Sequence, residues 1–79
     1  MRDVVIPKMG MSSVEVDIIE WHVAVGDAVE RGTPLVDVES EKAILTIEAE
    51  EPGVVAEILL GEGSEAAVGD VICRLEVRK

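Results

Sequence analysis

The 79-residue sequence repeats itself at an offset of 37. Gly26 falls on Gly63, Gly32 on Gly69, Leu35 on Ile72, Val38 on Leu75 and Glu39 on Glu76. Trp21 likewise meets Ile58, and Val23 meets Leu60. Strand, glycine turn, second glycine turn, strand therefore recurs with the same internal distances, the mark of one supersecondary unit used twice. The alternative is a coincidence of glycines and valines in a Val-rich chain, and two glycines plus four core-type positions at one offset weigh against it. Two small β units packed face to face give a flattened sandwich with approximate two-fold symmetry.

The unit reads as β throughout. Val and Ile supply 14 and 7 residues against 5 Leu and a single aromatic, Trp21. Branching at Cβ restricts χ1 and suits a pleated surface better than a helix. Val14, Val16 and Ile18 alternate with Glu15 and Asp17. The phase then slips, and Ile19, Trp21, Val23 and Val25 alternate with Glu20, His22 and Ala24. Such a slip predicts a bulge, or a strand changing sheets, near Ile18–Ile19. Gly26-Asp27 and Arg31-Gly32-Thr33-Pro34 read as turns, and Val36 and Val38 alternate with Asp37 and Glu39. Beyond the polar break Glu39-Ser40-Glu41-Lys42, a strand is predicted over Ala43 to Ile47. Another follows over Val54 to Leu60, after the turn Glu50-Glu51-Pro52-Gly53. Val71, Cys73, Leu75 and Val77 close the chain against outward Arg74, Glu76 and Arg78. Helical spacing is not sustained anywhere: Ala28-Val29 and Ala66-Ala67-Val68 amount at most to single turns.

Size and charge narrow the function. A chain of this length forms one domain, residues 1–79, and buries only about 60% of the surface its unfolded form exposes, leaving no volume for a deep catalytic cleft. The net charge of −10, from 7 basic and 17 acidic residues, repels phosphate backbones and anionic membranes. Nucleic-acid and membrane binding are not expected. The apolar run after Met1-Arg2-Asp3 ends at Pro7, too short for a leader or a span, so a cytoplasmic protein is the expectation. One Cys cannot form an internal disulfide, and no Cys/His cluster has metal-ligand spacing.

The repeat isolates what is unique. Glu39-Ser40-Glu41-Lys42-Ala43 lies between the copies, as a hairpin turn at the end of the sandwich, whereas the equivalent point after Glu76 is the chain terminus. Lys42 is the only lysine between Lys8 and Lys79. Spacing alone leaves it readable as a solvated turn residue. The segment resembles the attachment motif of lipoyl domains, in which a lysine follows an acidic residue and precedes a small or apolar one. The resemblance extends further. Ile6-Pro7-Lys8-Met9-Gly10-Met11 is similar to that family's opening strand, and Ile19-Glu20-Trp21-His22-Val23 precedes the Gly26-Asp27 turn. Gly32-Thr33-Pro34-Leu35 leads into the hairpin, and Pro52-Gly53-Val54-Val55 opens the second half. Gly26, 16 positions before Lys42, and Gly53, 11 after it, stand where lipoyl domains place glycines, and both are assigned to turns that need positive φ. Ser40 and Glu41 replace the family's commoner Thr and Asp, and Val14-Glu15-Val16-Asp17 replaces its commoner acidic-glycine pair. Biotinyl domains share the fold but flank their lysine with methionines, a pattern Glu41 and Ala43 do not match.

The resemblance implies an all-β hammerhead-type fold, a flattened sandwich or barrel of two four-stranded antiparallel sheets with quasi-two-fold symmetry. It implies lipoic acid amide-linked to Lys42 by a lipoate ligase or lipoyl transferase, with Glu39, Ser40, Glu41 and Ala43 serving recognition. The parent would be the acyltransferase (E2) component of a 2-oxo acid dehydrogenase complex of pyruvate, acetoin or branched-chain type. A thiamine-dependent decarboxylase (E1) would reductively acylate the ring, coenzyme A would receive the acyl group on the E2 core, and dihydrolipoamide dehydrogenase (E3) would reoxidise the dithiol. The domain itself would break no bonds. Other classes stay open at this point: a biotin carboxyl carrier, or an unmodified β-sandwich interaction module. Cys73 is expected to be a buried core thiol, and His22 to sit outward without a triad partner. Met9-Gly10-Met11 reads as loop packing. Gly61-Glu62-Gly63 lacks the strand–helix context of a phosphate loop.

Overall fold

The computed structural model describes residues 1–7, 15–40 and 43–77. Among the described residues, eight strands run in chain order: β1 (Arg2–Val5), β2 (Glu15–Trp21), β3 (Ala28–Val29), β4 (Pro34–Glu39), β5 (Ile44–Glu48), β6 (Gly53–Ile58), β7 (Glu65–Ala67) and β8 (Val71–Val77). They form two four-stranded antiparallel sheets, ordered β1-β8-β6-β3 and β5-β4-β2-β7. The predicted sandwich is what forms, with extents of 36 × 22 × 17 Å.

The 37-residue offset holds down to single hydrogen bonds. In one sheet Asp17, Ile18, Glu20 and Trp21 face Glu39, Val38, Asp37 and Val36. In the other, Val54, Val55, Glu57 and Ile58 face Glu76, Leu75, Arg74 and Cys73. Each register slips at the same place: Ile19 is the extra residue in β2, as its phase slip predicts, and Ala56 is its counterpart in β6. The edge strands match too. Asp37 pairs with Thr46 across β4–β5, and Arg74 with Asp3 across β8–β1.

A second pair of bulges explains the core. The β4–β5 register passes from Pro34 to Val36, skipping Leu35, and the β1–β8 register passes from Cys73 to Val71, skipping Ile72. Skipping a residue turns two consecutive side chains inward. Leu35 with Val36, and Ile72 with Cys73, are all 0% exposed. The predicted alternation through Val71, Cys73 and Val77 is corrected accordingly: Ile72 fills the core, while Val71 and Val77 are half-buried. Ile6, Ile18, Val38, Val55 and Leu75 complete the apolar layer between the sheets.

Three further expectations change. Ala28–Val29 and Glu65–Ala67 are short strands, not helical turns: each adds a fourth strand by pairing with β6 or β2 of the opposite repeat. Two- and three-residue strands are too short to show periodicity, so only the exchange between repeats creates them. The strands expected over Ala43 to Ile47 and Val54 to Leu60 run from Ile44 to Glu48 and from Gly53 to Ile58. Gly53 is not a turn glycine. It opens β6, and a Cβ there would overlap the Glu76 carbonyl. Gly26, by contrast, does occupy a turn with φ +96°, repeated by Gly63 at +86°. The Met9-Gly10-Met11 run, Val14 and Arg78 lie outside the described residues.

Candidate functional site

The β4–β5 connection spans Ser40 to Ala43, between the paired residues Glu39 and Ile44. Glu41 and Lys42 lie outside the described residues, so the site is defined by what flanks them. The Ser40 amide donates to the Ala43 carbonyl at 2.8 Å. The Ser40 hydroxyl donates to the same carbonyl at 3.0 Å and accepts from the Ala43 amide at 3.3 Å. Ser40 is the one buried polar residue among those described, at 8% exposure. Its side chain closes the connection, a structural role that the sequence did not disclose. Glu39 and Ala43 are exposed, and Ile44 keeps 64% of its surface in solvent.

The connection occupies one end of the molecule. Arg2, at the start of β1, pairs with Glu50 and Glu51 beyond the far end of β5. The start of β1 therefore lies at the opposite end. That end is the two-fold counterpart of the connection, where Glu76 of β8 takes the place of Glu39.

These flanks fit an amide-linked arm. A covalent group on a lysine between Ser40 and Ala43 needs an anchored base and an exposed exit. The first is supplied by the Ser40–Ala43 hydrogen bonds, the second by the exposure of Glu39, Ala43 and Ile44.

On the outer face of the same sheet, His22 has a partner that the sequence did not reveal. Its Nε2 lies 3.1 Å from Asp37 Oδ1, and Thr46 Oγ1 donates to that same oxygen at 2.7 Å. Asp37 is held below the usual carboxylate range, first by the Thr46 hydrogen bond and then by that from His22. The signal available in the sequence was the strand pairing: once β2, β4 and β5 are neighbours, outward positions 22, 37 and 46 fall side by side. Cys73 is the buried core thiol expected, its pKa raised to about 11 by desolvation.

A sandwich built from two exchanged β units, with a lysine-bearing connection at one end, defines a carrier domain of the lipoyl/biotinyl type. The biotin/lipoyl family model, described as "Biotin-requiring enzyme", matches residues 2–75. The chain belongs to this family, on its lipoyl side. It is 40% identical over 70 residues, 89% of its length, to the dihydrolipoyllysine-residue acetyltransferase component of the acetoin cleaving system of Bacillus subtilis. It is 38% identical over 72 residues, 91% of its length, to the dihydrolipoyllysine-residue succinyltransferase component of the 2-oxoglutarate dehydrogenase complex of Staphylococcus saprophyticus. It spans only 18% and 17% of those two proteins. Among solved structures, the lipoyl domain of the 2-oxoglutarate dehydrogenase complex from Azotobacter vinelandii superposes with a TM-score of 0.79 at 32% identity, covering 96% of each chain. The urea carboxylase of Kluyveromyces lactis gives 0.76 at 24% identity over 96% of this chain and 6% of that one, a likeness of fold alone.

Proposed function

We propose that the chain carries lipoic acid in amide linkage on Lys42 and serves as the swinging-arm domain of an E2 acyltransferase in a 2-oxo acid dehydrogenase complex. The observation that carries this reading is the β4–β5 connection of a lipoyl-type fold, which follows Glu39 and is closed by the hydrogen bonds between Ser40 and Ala43. In the sequence, Glu41 and Lys42 stand between those two residues. Glu41 and Ala43 beside the lysine favour lipoate over biotin.

When bound, lipoate supplies a disulfide that takes up an acyl group and two electrons, chemistry the protein itself does not perform. The chain's own residues present and hold. Ser40 fixes the base of the connection, and Glu39 and Glu41 offer carboxylates to the ligase or to the E1 decarboxylase. Amide formation removes one positive charge, taking the formal −10 to −11. Tethered in a complex, such a domain raises the local concentration of its arm at successive active sites, those of E1, the E2 core and E3.

Intact mass after co-expression with lipoate ligase and lipoic acid, set against biotin ligase and biotin, tests the reading. A lipoyl mass increment that disappears in Lys42→Arg is expected. Biotin alone at Lys42 would move the chain to the carboxylase carriers, and no modification by either ligase would leave the interaction module.

A further inference from the structure

We propose that the groove between β1 and β5 is a berth in which Val5, Pro7 and Leu45 hold the methylene chain of the lipoyl arm between visits to partner active sites, an inference that rests on the lipoyl reading of Lys42. β1 and β5 are outer strands of their two sheets and lie on the same side of the sandwich. Between them runs an open groove of about 740 Å³, with Val4, Ile47 and Leu75 along its floor. That volume falls in the range of small-molecule clefts.

The internal two-fold shows which end of the groove suits an apolar chain. It exchanges β1 with β5: Val4, opposite Cys73, answers to Ile47, opposite Val36. By the same exchange Arg2 corresponds to Leu45, Val5 to Glu48 and Pro7 to Glu50. All six line the groove. The end where β1 finishes and β5 begins is therefore apolar, with Val5, Pro7 and Leu45. At the other end the equivalent positions hold Glu48, Glu50 and Arg2, and Arg2 pairs there with Glu50. Equivalent positions carry opposite chemistry, and the apolar set is the one beside the Ser40–Ala43 connection.

Reach and exposure fit the arm. Lys42 stands three residues before Leu45, so their Cα atoms are at most about 11 Å apart. A lysine side chain prolonged by lipoate covers that distance and can lie along the groove. Val5 is 41% exposed, and Val4 and Leu45 are half-buried, which leaves apolar surface for the arm to cover. Withdrawing one methylene's worth of surface from water favours the docked arm about fourfold. A berth of that strength shelters the arm from bulk reductants yet releases it at little cost, as a carrier that must enter several active sites in turn requires.

Nuclear magnetic resonance of the lipoylated 79-residue chain, set against the unmodified chain, tests this. Intact mass first establishes that Lys42 carries the group. A chain that takes none overturns the carrier reading and the berth together, whereas every later outcome bears on the berth alone. Lipoyl methylene protons should give Overhauser contacts to the methyl groups of Val5 and Leu45, and none to Arg2, Glu48 or Glu50. Val5→Glu puts at the hairpin end the residue that the fold already accepts at position 48, so the Ile72 and Leu75 methyl shifts should stay unchanged. In that variant the contacts should vanish, and a small phosphine should reduce the lipoyl ring about fivefold faster, since the arm is then free all the time. Glu48→Val, at the far end, should leave both readouts as they are. Missing contacts in the wild-type chain, or contacts and a reduction rate that Val5→Glu does not alter, would overturn the proposal. So would Val5 and Leu45 shifts that grow with protein concentration in the unmodified chain, which would make a second copy the occupant.

Discussion

Single residues set the limits of this fold in two different ways, by shape and by charge. Gly53 illustrates shape: its backbone packs so closely on β8 that a Cβ would overlap the Glu76 carbonyl. Backbone cannot rotate away as a side chain can, so Gly53→Ala should destabilise by about 1–3 kcal/mol, the range for overpacking a tight site. Urea unfolding followed by Trp21 fluorescence would measure it, and an unchanged midpoint would mean that β6 and β8 can separate without cost. Asp37 illustrates charge. Its folded-state pKa is depressed by Thr46 and His22. Its stabilising contribution is therefore fully present above the ordinary carboxylate range and is lost as pH falls through the lowered value. Asp37→Asn should accordingly show a shallower loss of stability than wild type on acidification from about pH 5 to about pH 2. Equal acid limbs in the two proteins would place the depression elsewhere.

At the scale of elements, the sandwich rests on paired irregularities. The bulges at Leu35 and Ile72 each turn two consecutive side chains into the core, and both residues are 0% exposed. Because they are two-fold counterparts in matching surroundings, Leu35→Ala and Ile72→Ala should cost about the same, in the range of about 2–5 kcal/mol. Chemical denaturation of the two variants side by side checks this, and a gap of several kcal/mol would show that the two halves do not share the core evenly. These elements also mark what the sequence disclosed. The bulge at Ile19 was legible because an extra residue inverts the inward–outward alternation, and the repeat was legible because core positions and turn glycines constrain both copies alike. The strands β3 and β7 were not, since two or three residues carry no period and their partners lie in the other repeat. The structural role of Ser40 was hidden for a related reason: nothing in Glu39-Ser40-Glu41 tells which side chain folds back on the connection. The lysine was singled out by resemblance and by its place between the repeats, not by any local signal, and the His22–Asp37 contact became visible only once the strands were ordered.

At the scale of the whole molecule the two sheets share one layer of apolar side chains, and Cys73 is placed to report on whether that layer opens as a unit. The thiol sits on β8, flanked in its sheet by β1 and β6 and covered by the opposite sheet, with no exposed surface. Desolvation raises its pKa to about 11, so at pH 8 the buried group is overwhelmingly the unreactive thiol. An alkylating reagent must therefore wait for an opening that separates the sheets. For a domain of 79 residues the global unfolding free energy is about 4–12 kcal/mol, which should slow alkylation at least a thousandfold relative to a free cysteine. The rate should also rise with urea along the slope that describes unfolding of the entire domain, because no smaller opening exposes a central strand. Iodoacetamide labelling followed by intact mass distinguishes the outcomes. A denaturant slope matching that of Trp21 fluorescence makes the sandwich a single unit. A markedly smaller slope would mean that β1, the edge strand beside β8, peels away by itself, leaving β8 held on one side only.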